Sequence, residues 1–268
     1  MNLYRLTRAE LPVPQFFVVT TSAFRSVFQN QGRSEVAGSG GEFGHTLVQR
    51  EIAQAYMKLV KQTSRELVAV RSSAAFEDSA SASFAGQFLS ILGVSGEREL
   101  IQAIWQCWTA SASERVRAYS RSKNLAGDNP IGIIVQRQVA SRVSGVAFSS
   151  HPLTHDPNVV YIEANFGTGE SVVGGVTTPD AFEFDRTTRC ITKRLIREKK
   201  VMTVVDAGTR TKPIPPSLSN MPSLMDTEVA EVAGLVERIE QAFGKPQDVE
   251  WSYEEKHIYI LQARPISA

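Results

Sequence analysis

Residues 248–265, DVEWSYEEKHIYILQARP, constrain the fold more than any other stretch of this chain. Val249, Trp251, Ile258, Ile260 and Leu261 mark two strand-forming runs, and the charged Glu254–Glu255–Lys256 between them reads as a turn. In a strand, residues two apart project to the same face. Asp248 and Glu250 therefore project together, and so do Gln262 and Arg264. With the turn at 254–256, Asp248 falls opposite Gln262, and all four polar groups share one face.

Two carboxylates and an amide oxygen are hard oxygen ligands suited to Mg²⁺, which takes few protein carboxylates and completes its shell with phosphate oxygens. Arg264 beside them offers a planar fork to a phosphate. The same spacing also fits a solvated strand face with a cross-strand charge pair. The apolar residues of both runs argue for buried strands, however, and polar groups at one end of buried strands need partners. That favours a site.

Elsewhere, helical and strand patterns mix without regular βαβ alternation, so the fold class is α+β. Phe16–Thr20 reads as a short strand followed by a helix with Thr21 or Ser22 at its N-cap. Residues 32–44 are rich in Gly and Ser and read as a loop. A helix is expected over about 46–63, then an apolar strand at 67–73. A strand near Phe88–Val94 leads to a helix capped by Ser95 that carries Trp105, Trp108 and Tyr119, the tryptophans in its core face. IGIIVQRQVA, SGVAFSS and NVVYIEANFG read as strands, AFEFDRTTRCITKRLI as a hairpin, and residues 206–225 as a loop. Residues 226–243 form the clearest helix: Asp226 or Thr227 caps it, Val229, Val232, Leu235, Val236 and Ile239 make the apolar stripe, and Gly244 suits the stop.

A second segment with chemical content is AVRSSAAFEDSASASFAGQ, residues 69–87. Arg71 ends an apolar strand, and the small residues after it let backbone amides approach a polyphosphate closely. A polar surface loop is the simpler reading of those residues taken alone. NFGTGESVVGG lacks both the P-loop ending and dinucleotide spacing. His45, His151, His155 and His257 show no metal-ligand pattern, no Ser-His-Asp or Cys-His set can be drawn, and the basic runs Lys193–Arg194 and Arg197–Lys200 read as exposed strand edges.

The charges balance, 29 Lys and Arg against 28 Asp and Glu. That argues against a dedicated nucleic-acid binder. Cys107 and Cys190 are too few for a disulfide framework, and a reducing, cytoplasmic setting is expected. No run of about 18 apolar residues is present, so no membrane association is expected.

Read in order, these segments resemble the ATP-binding domain of the phosphoenolpyruvate synthase, pyruvate phosphate dikinase and rifampicin phosphotransferase family. VPQFFVVTTSAF resembles its opening block, with Gln15–Phe16 in place of a Gly-containing pair. VAVRSSAAFEDSASASFAGQ resembles its arginine-loop signature. VQRQVASRVSGVAFSSHP, IEANFGTGESVVGGVTTPDAF and PQDVEWSYEEKHIYILQARPI follow in the family's order.

The resemblance implies an ATP-grasp-like fold with ATP and Mg²⁺ held between two subdomains, expected here as 1–127 and 128–268. It implies that Arg71 binds phosphates, that the loop at Gly86 covers the nucleotide, and that Ser90, Ile91 and Gln136 contact it. Glu250, Gln262 and Arg264 are implied to complete the nucleotide and metal site, with Asp248 an acidic neighbour, and Arg71 and Arg264 to carry the catalysis. The family's reaction splits ATP to AMP and phosphate and passes the β-phosphoryl group to a histidine of a separate carrier domain, which delivers it to an acceptor-binding domain. Asn2–Leu3 align just after a phosphate-binding lysine of the family, and no carrier-type histidine motif occurs. A phosphohistidine carrier domain and an acceptor-binding domain are therefore the expected partners. The alternatives are a degenerate nucleotide-binding or regulatory module and an ATP-grasp ligase.

Overall fold

A computed structural model of the 268-residue chain describes residues 2–30, 47–61, 66–73, 89–111, 131–175, 177–206 and 208–266. It divides into two compact units, Gln15–Gln138 and Met1–Pro14 with Val139–Ala268. The units are not consecutive along the chain, because the first fourteen residues, including helix α1 (Asn2–Arg8), belong with the C-terminal half.

The smaller unit holds β1 (Phe16–Val19), α2 (Thr21–Asn30), α3 (Leu47–Val60), β2 (Val68–Ser73), β3 (Ser90–Val94), α4 (Gly96–Ser111) and β4 (Gly132–Arg137). Its strands form an antiparallel sheet in the order β1-β4-β2-β3. Strand alternation sends Phe17, Val19, Val68, Val70, Ile133 and Val135 to one side, where they meet Val27, Ile52, Tyr56, Leu59, Ile104 and Trp108 from the helices. Each such side chain contributes about 1.5–3 kcal/mol on burial. Trp105 and Trp108 are core, as their helical spacing predicts, and Phe24 meets Trp108 edge-on at 5.7 Å. Helix α2 starts one residue earlier than expected, with the Thr20 carbonyl accepting the Ala23 and Phe24 amides. Tyr119 lies outside the described residues.

The larger unit adds β5 (Val143–Phe148), β6 (Val159–Phe166), α5 (Glu170–Val173), β7 (Asp180–Asp185), β8 (Cys190–Leu195), β9 (Val201–Asp206), β10 (Gly208–Pro213), α6 (Pro216–Ser219), α7 (Asp226–Phe243), β11 (Gln247–Glu254) and β12 (His257–Pro265). Six strands form an antiparallel sheet in the order β12-β11-β5-β6-β7-β8. Helix α7 lies across one face of it, and its Val229, Val232, Val236 and Ile239 are fully buried there. The stripe read from the sequence is therefore the seam. Its stop is as expected, with Gly244 left-handed at φ 64°. Its start is not: Met225 occupies the N-cap, where the Glu228 carboxylate accepts its backbone N–H at 2.9 Å, while Asp226 ion-pairs with Arg194. The edge strand β12 is partly covered by the N-terminal segment, whose Pro12 carbonyl accepts the Ile260 N–H at 2.7 Å.

Residues 206–225 are not simply a loop. β9 and β10 form a two-stranded antiparallel hairpin, and the short α6 follows. The second strand, GTRTKP, has almost no apolar residue to reveal it. The base of the hairpin is tied to the large sheet by a fully buried pair, Asp180 and Lys199, both with side chains 0% exposed. Asp180 accepts the Lys199 ammonium at 2.8 Å, the Arg197 N–H at 2.9 Å and the Ser223 N–H at 2.8 Å. Lys199 is thus not part of an exposed edge, although Arg197 and Lys200 are exposed. Gly167, at φ +79°, permits a close pass of β9, since a Cβ there would sit 2.2 Å from the Thr203 carbonyl oxygen.

Among the described residues, no helix is long and apolar enough to cross a membrane.

Candidate functional site

The hairpin of β11 and β12 turns through two residues, Glu255–Lys256, with Glu255 at φ 54°. From there the pairs run Glu254↔His257, Tyr253↔Ile258, Ser252↔Tyr259 and Trp251↔Ile260. The next pair is Glu250↔Gln262, followed by Val249↔Ala263 and Asp248↔Arg264. Leu261 is the extra residue of a β-bulge.

That single residue decides the site. Opposed residues share a face, so Ile258 and Ile260 join Tyr253 and Trp251 against the helix. Without the bulge, Gln262 and Arg264 would continue onto the same buried face. With it they turn to the other face and join Glu250 and Asp248. The four polar groups share a face as expected, but Asp248 lies opposite Arg264 and not Gln262. The shorter turn and the bulge account for the difference.

Arg264 donates from Nε and Nη2 to Asp248 Oδ2, at 2.8 and 2.7 Å. The Asp248 side chain is 12% exposed. Burial raises its pKa above the usual carboxylate range, Arg264 pulls it back, and Glu250 pushes it up again. Even with Arg264 in place, this corner gains from added positive charge. Among the described residues, no group of three His, Cys, Asp or Glu side chains is placed to hold a metal unaided. Two carboxylates with one amide form the partial oxygen set that Mg²⁺ completes with phosphate oxygens and water.

Further along the same face, Ser252 is fixed by its neighbours. Ser144 Oγ donates to Ser252 Oγ at 2.9 Å, which donates to Ser141 Oγ at 2.7 Å. Glu254 accepts the Ala140 N–H at 2.9 Å. These contacts hold the strand that carries Glu250.

Sequence reasoning missed a second row on this face. Pairing across β5 and β6 places Ser144, Val146 and Phe148, then Asn165, Glu163 and Tyr161, on the side away from α7. Glu183 follows on β7. A signal was present: in VVYIEANF, every second residue from Tyr161 is polar while the intervening ones are apolar.

In the smaller unit, Arg71 lies opposite Ile134 on β4 and Ser90 on β3. Gln136 is two residues from Ile134, so Arg71, Ser90 and Gln136 share the sheet face opposite the helices. Gln136 is 1% exposed, and its buried Nε2 has no hydrogen-bond partner among the described residues. A buried orphan donor of this kind points to a missing acceptor. Ile91, opposite Val70, faces the helices and packs against the core, so any ligand contact from it would come from its backbone. Gly86 lies outside the described residues.

Over residues 42–268 the chain matches the family described as pyruvate phosphate dikinase, AMP/ATP-binding domain. A probable phosphoenolpyruvate synthase of Archaeoglobus fulgidus is 40% identical over 99% of this chain and 39% of its own length. An uncharacterised phosphotransferase of Bacillus subtilis is 35% identical over 100% of this chain and 33% of its own, and a rifampicin phosphotransferase of a Streptomyces species 33% identical over 99% and 33%. The chain thus spans between a third and two fifths of the length of these relatives. Its likeness to solved structures is slighter: a D-alanine–D-alanine ligase from Bacillus anthracis matches 99% of this chain and 55% of its own at 10% identity and a TM-score of 0.39. A chain matched by one family over residues 42–268, and by relatives of that kind over its whole length, belongs to the pyruvate phosphate dikinase AMP/ATP-binding domain family.

Proposed function

We propose that this chain binds ATP with Mg²⁺ and serves as the nucleotide-activating domain of a dikinase-type phosphotransferase. ATP is split to AMP and phosphate, and the β-phosphoryl group passes to a histidine on a separate carrier domain, in the same polypeptide or on another chain. An acceptor-binding domain receives it from there. The observation that carries this reading is the bulged hairpin, which gathers Asp248, Glu250, Gln262 and Arg264 on one sheet face. Relatives named as phosphoenolpyruvate synthase and rifampicin phosphotransferase support the reaction class.

In this reading Glu250 and Gln262, with Asp248 beside them, hold Mg²⁺, which supplies charge neutralisation for the phosphates. Arg264, now resting on Asp248, presents its fork to a phosphate oxygen, and Arg71 supplies a second cation from the smaller unit. Gln136 offers the nucleotide its amide donor, which has no partner among the described residues. Ser90 and the Ile91 backbone make further contacts, and the loop at Gly86 covers the ligand. Catalysis then rests on positioning and on charge stabilisation of the transferred group.

Isothermal titration with ATP and Mg²⁺ tests the reading. The wild-type chain is expected to bind, and Glu250→Ala and Arg71→Ala each to weaken binding at least about tenfold, the loss of a charge-assisted contact. No binding by the wild type, or unchanged affinity in both variants, rejects it.

A further inference from the structure

Glu163 stands on the same sheet face as Glu250, two strands away, with Val146 of β5 between them. Two strand spacings are roughly 9.5 Å. Its carboxylate is half-buried, and among the described residues it has one polar partner, the Tyr161 hydroxyl, donating at a long 3.3 Å. No cation pairs with it among the described residues. The contrast with its neighbours is plain: Asp248 takes Arg264, and Glu183 takes Lys193 at 2.9 Å. Burial raises the Glu163 pKa, and the Tyr161 hydrogen bond only partly offsets this. A desolvated carboxylate without a counter-ion weakens the fold, so its presence calls for a ligand that satisfies it.

The surroundings narrow the ligand's chemistry. Roughly 9.5 Å is too far to share an ion held at Glu250, since Mg²⁺–oxygen distances are about 2.1 Å. An ionised carboxylate accepts hydrogen bonds and repels phosphate. The floor next to Glu163 is apolar, formed by the half-buried Val146 and Phe148. What fits is an uncharged ring whose flat side covers apolar carbon and whose edge carries hydrogen-bond donors. Resting on the ATP-binding reading above, we propose that Glu163 accepts hydrogen bonds from the ribose hydroxyls of the nucleotide and makes the site specific for ribonucleotides, with Val146 and Phe148 as the platform under the sugar.

The test is titration of ATP, 2′-deoxyATP and 3′-deoxyATP, each with Mg²⁺, into wild type, Glu163→Gln and Glu163→Ala, with melting temperatures measured in parallel. Wild type is expected to prefer ATP over at least one deoxynucleotide by about tenfold or more, the range for a hydrogen bond to a charged group. Glu163→Ala is expected to lower ATP affinity to the deoxynucleotide level while leaving the deoxynucleotide unchanged, and Glu163→Gln to fall between. The melting temperature of Glu163→Ala is expected to hold or rise, because a half-buried carboxylate with no cation partner among the described residues has been removed; a merely structural residue would show a fall. An unchanged ATP-to-deoxyATP ratio in Glu163→Ala overturns the proposal while leaving ATP binding intact. Equal losses for all three nucleotides, tracking Mg²⁺ concentration, overturn it in favour of a metal role. Absence of nucleotide binding by the wild type overturns both readings.

Discussion

Two aspartates of the larger unit each face a cation, and the pairs are built differently. Asp180 and Lys199 are sealed from water, and the carboxylate also takes two backbone N–H groups. Asp248 and Arg264 are partly open, at 12% and 37% side-chain exposure, and Glu250 adds negative charge beside them. The first pair is closed and knits the β9–β10 hairpin to the sheet. The second leaves capacity for a further cation or an anion. Burial and number of partners, not the presence of an ion pair, separate a structural pair from one prepared for a ligand.

The sharpest way to break the contrast is Asp180→Ala. Leaving Lys199 buried without its carboxylate is expected to cost about 3–5 kcal/mol, read as a lower midpoint in denaturant unfolding. A loss below about 1 kcal/mol would place Asp180–Lys199 with the solvent-exposed pairs.

Deleting Leu261 attacks the other pair through the backbone. Removal of the bulge carries Gln262 and Arg264 to the helix face, where polar groups lack partners at about 1–3 kcal/mol each. ATP binding is expected to disappear, while Leu261→Ala, which keeps the residue count, is expected to retain it. Equal binding by both variants would remove the bulge from the explanation.

The smallest effect concerns pH. The folded pKa of Glu163 is raised, so the native state holds its proton more tightly than the unfolded chain does. Stability from this group is full at low pH and is lost as pH rises through the carboxylate range. Tyr161 donates to Glu163, and Glu183 and Arg197 stand near that hydroxyl. The melting temperature of Glu163→Gln relative to wild type is therefore expected to increase as pH rises from about 4 to about 6. A difference that stays flat across that range would contradict the assigned burial of the carboxylate.

Much of this was legible in the residues. The stripe Val229–Ile239 and the stop at Gly244 announce α7, and the spacing of Asp248, Glu250, Gln262 and Arg264 announces a shared polar face. The register was not legible, because a bulge depends on how two strands settle against a third layer and has no local residue signature at Leu261. Lys199 was read as surface because charge alone does not disclose a partner 19 residues away in sequence. Glu163 hid in an apolar strand, its polar alternation diluted by the neighbouring valines and isoleucine.

The non-consecutive units have a consequence for handling the molecule. The smaller unit is a guest spliced into a host at Pro14–Gln15 and Gln138–Val139. At the splice the Arg137 N–H donates to the Gln15 carbonyl at 2.8 Å, so the guest's two ends leave side by side. A short bridge across that seam would excise residues 15–138 without stretching the host. The six-stranded sheet, with Glu163, the bulge and both aspartate pairs aboard, would then be a separable platform on which the larger unit's own candidate residues could be weighed by themselves.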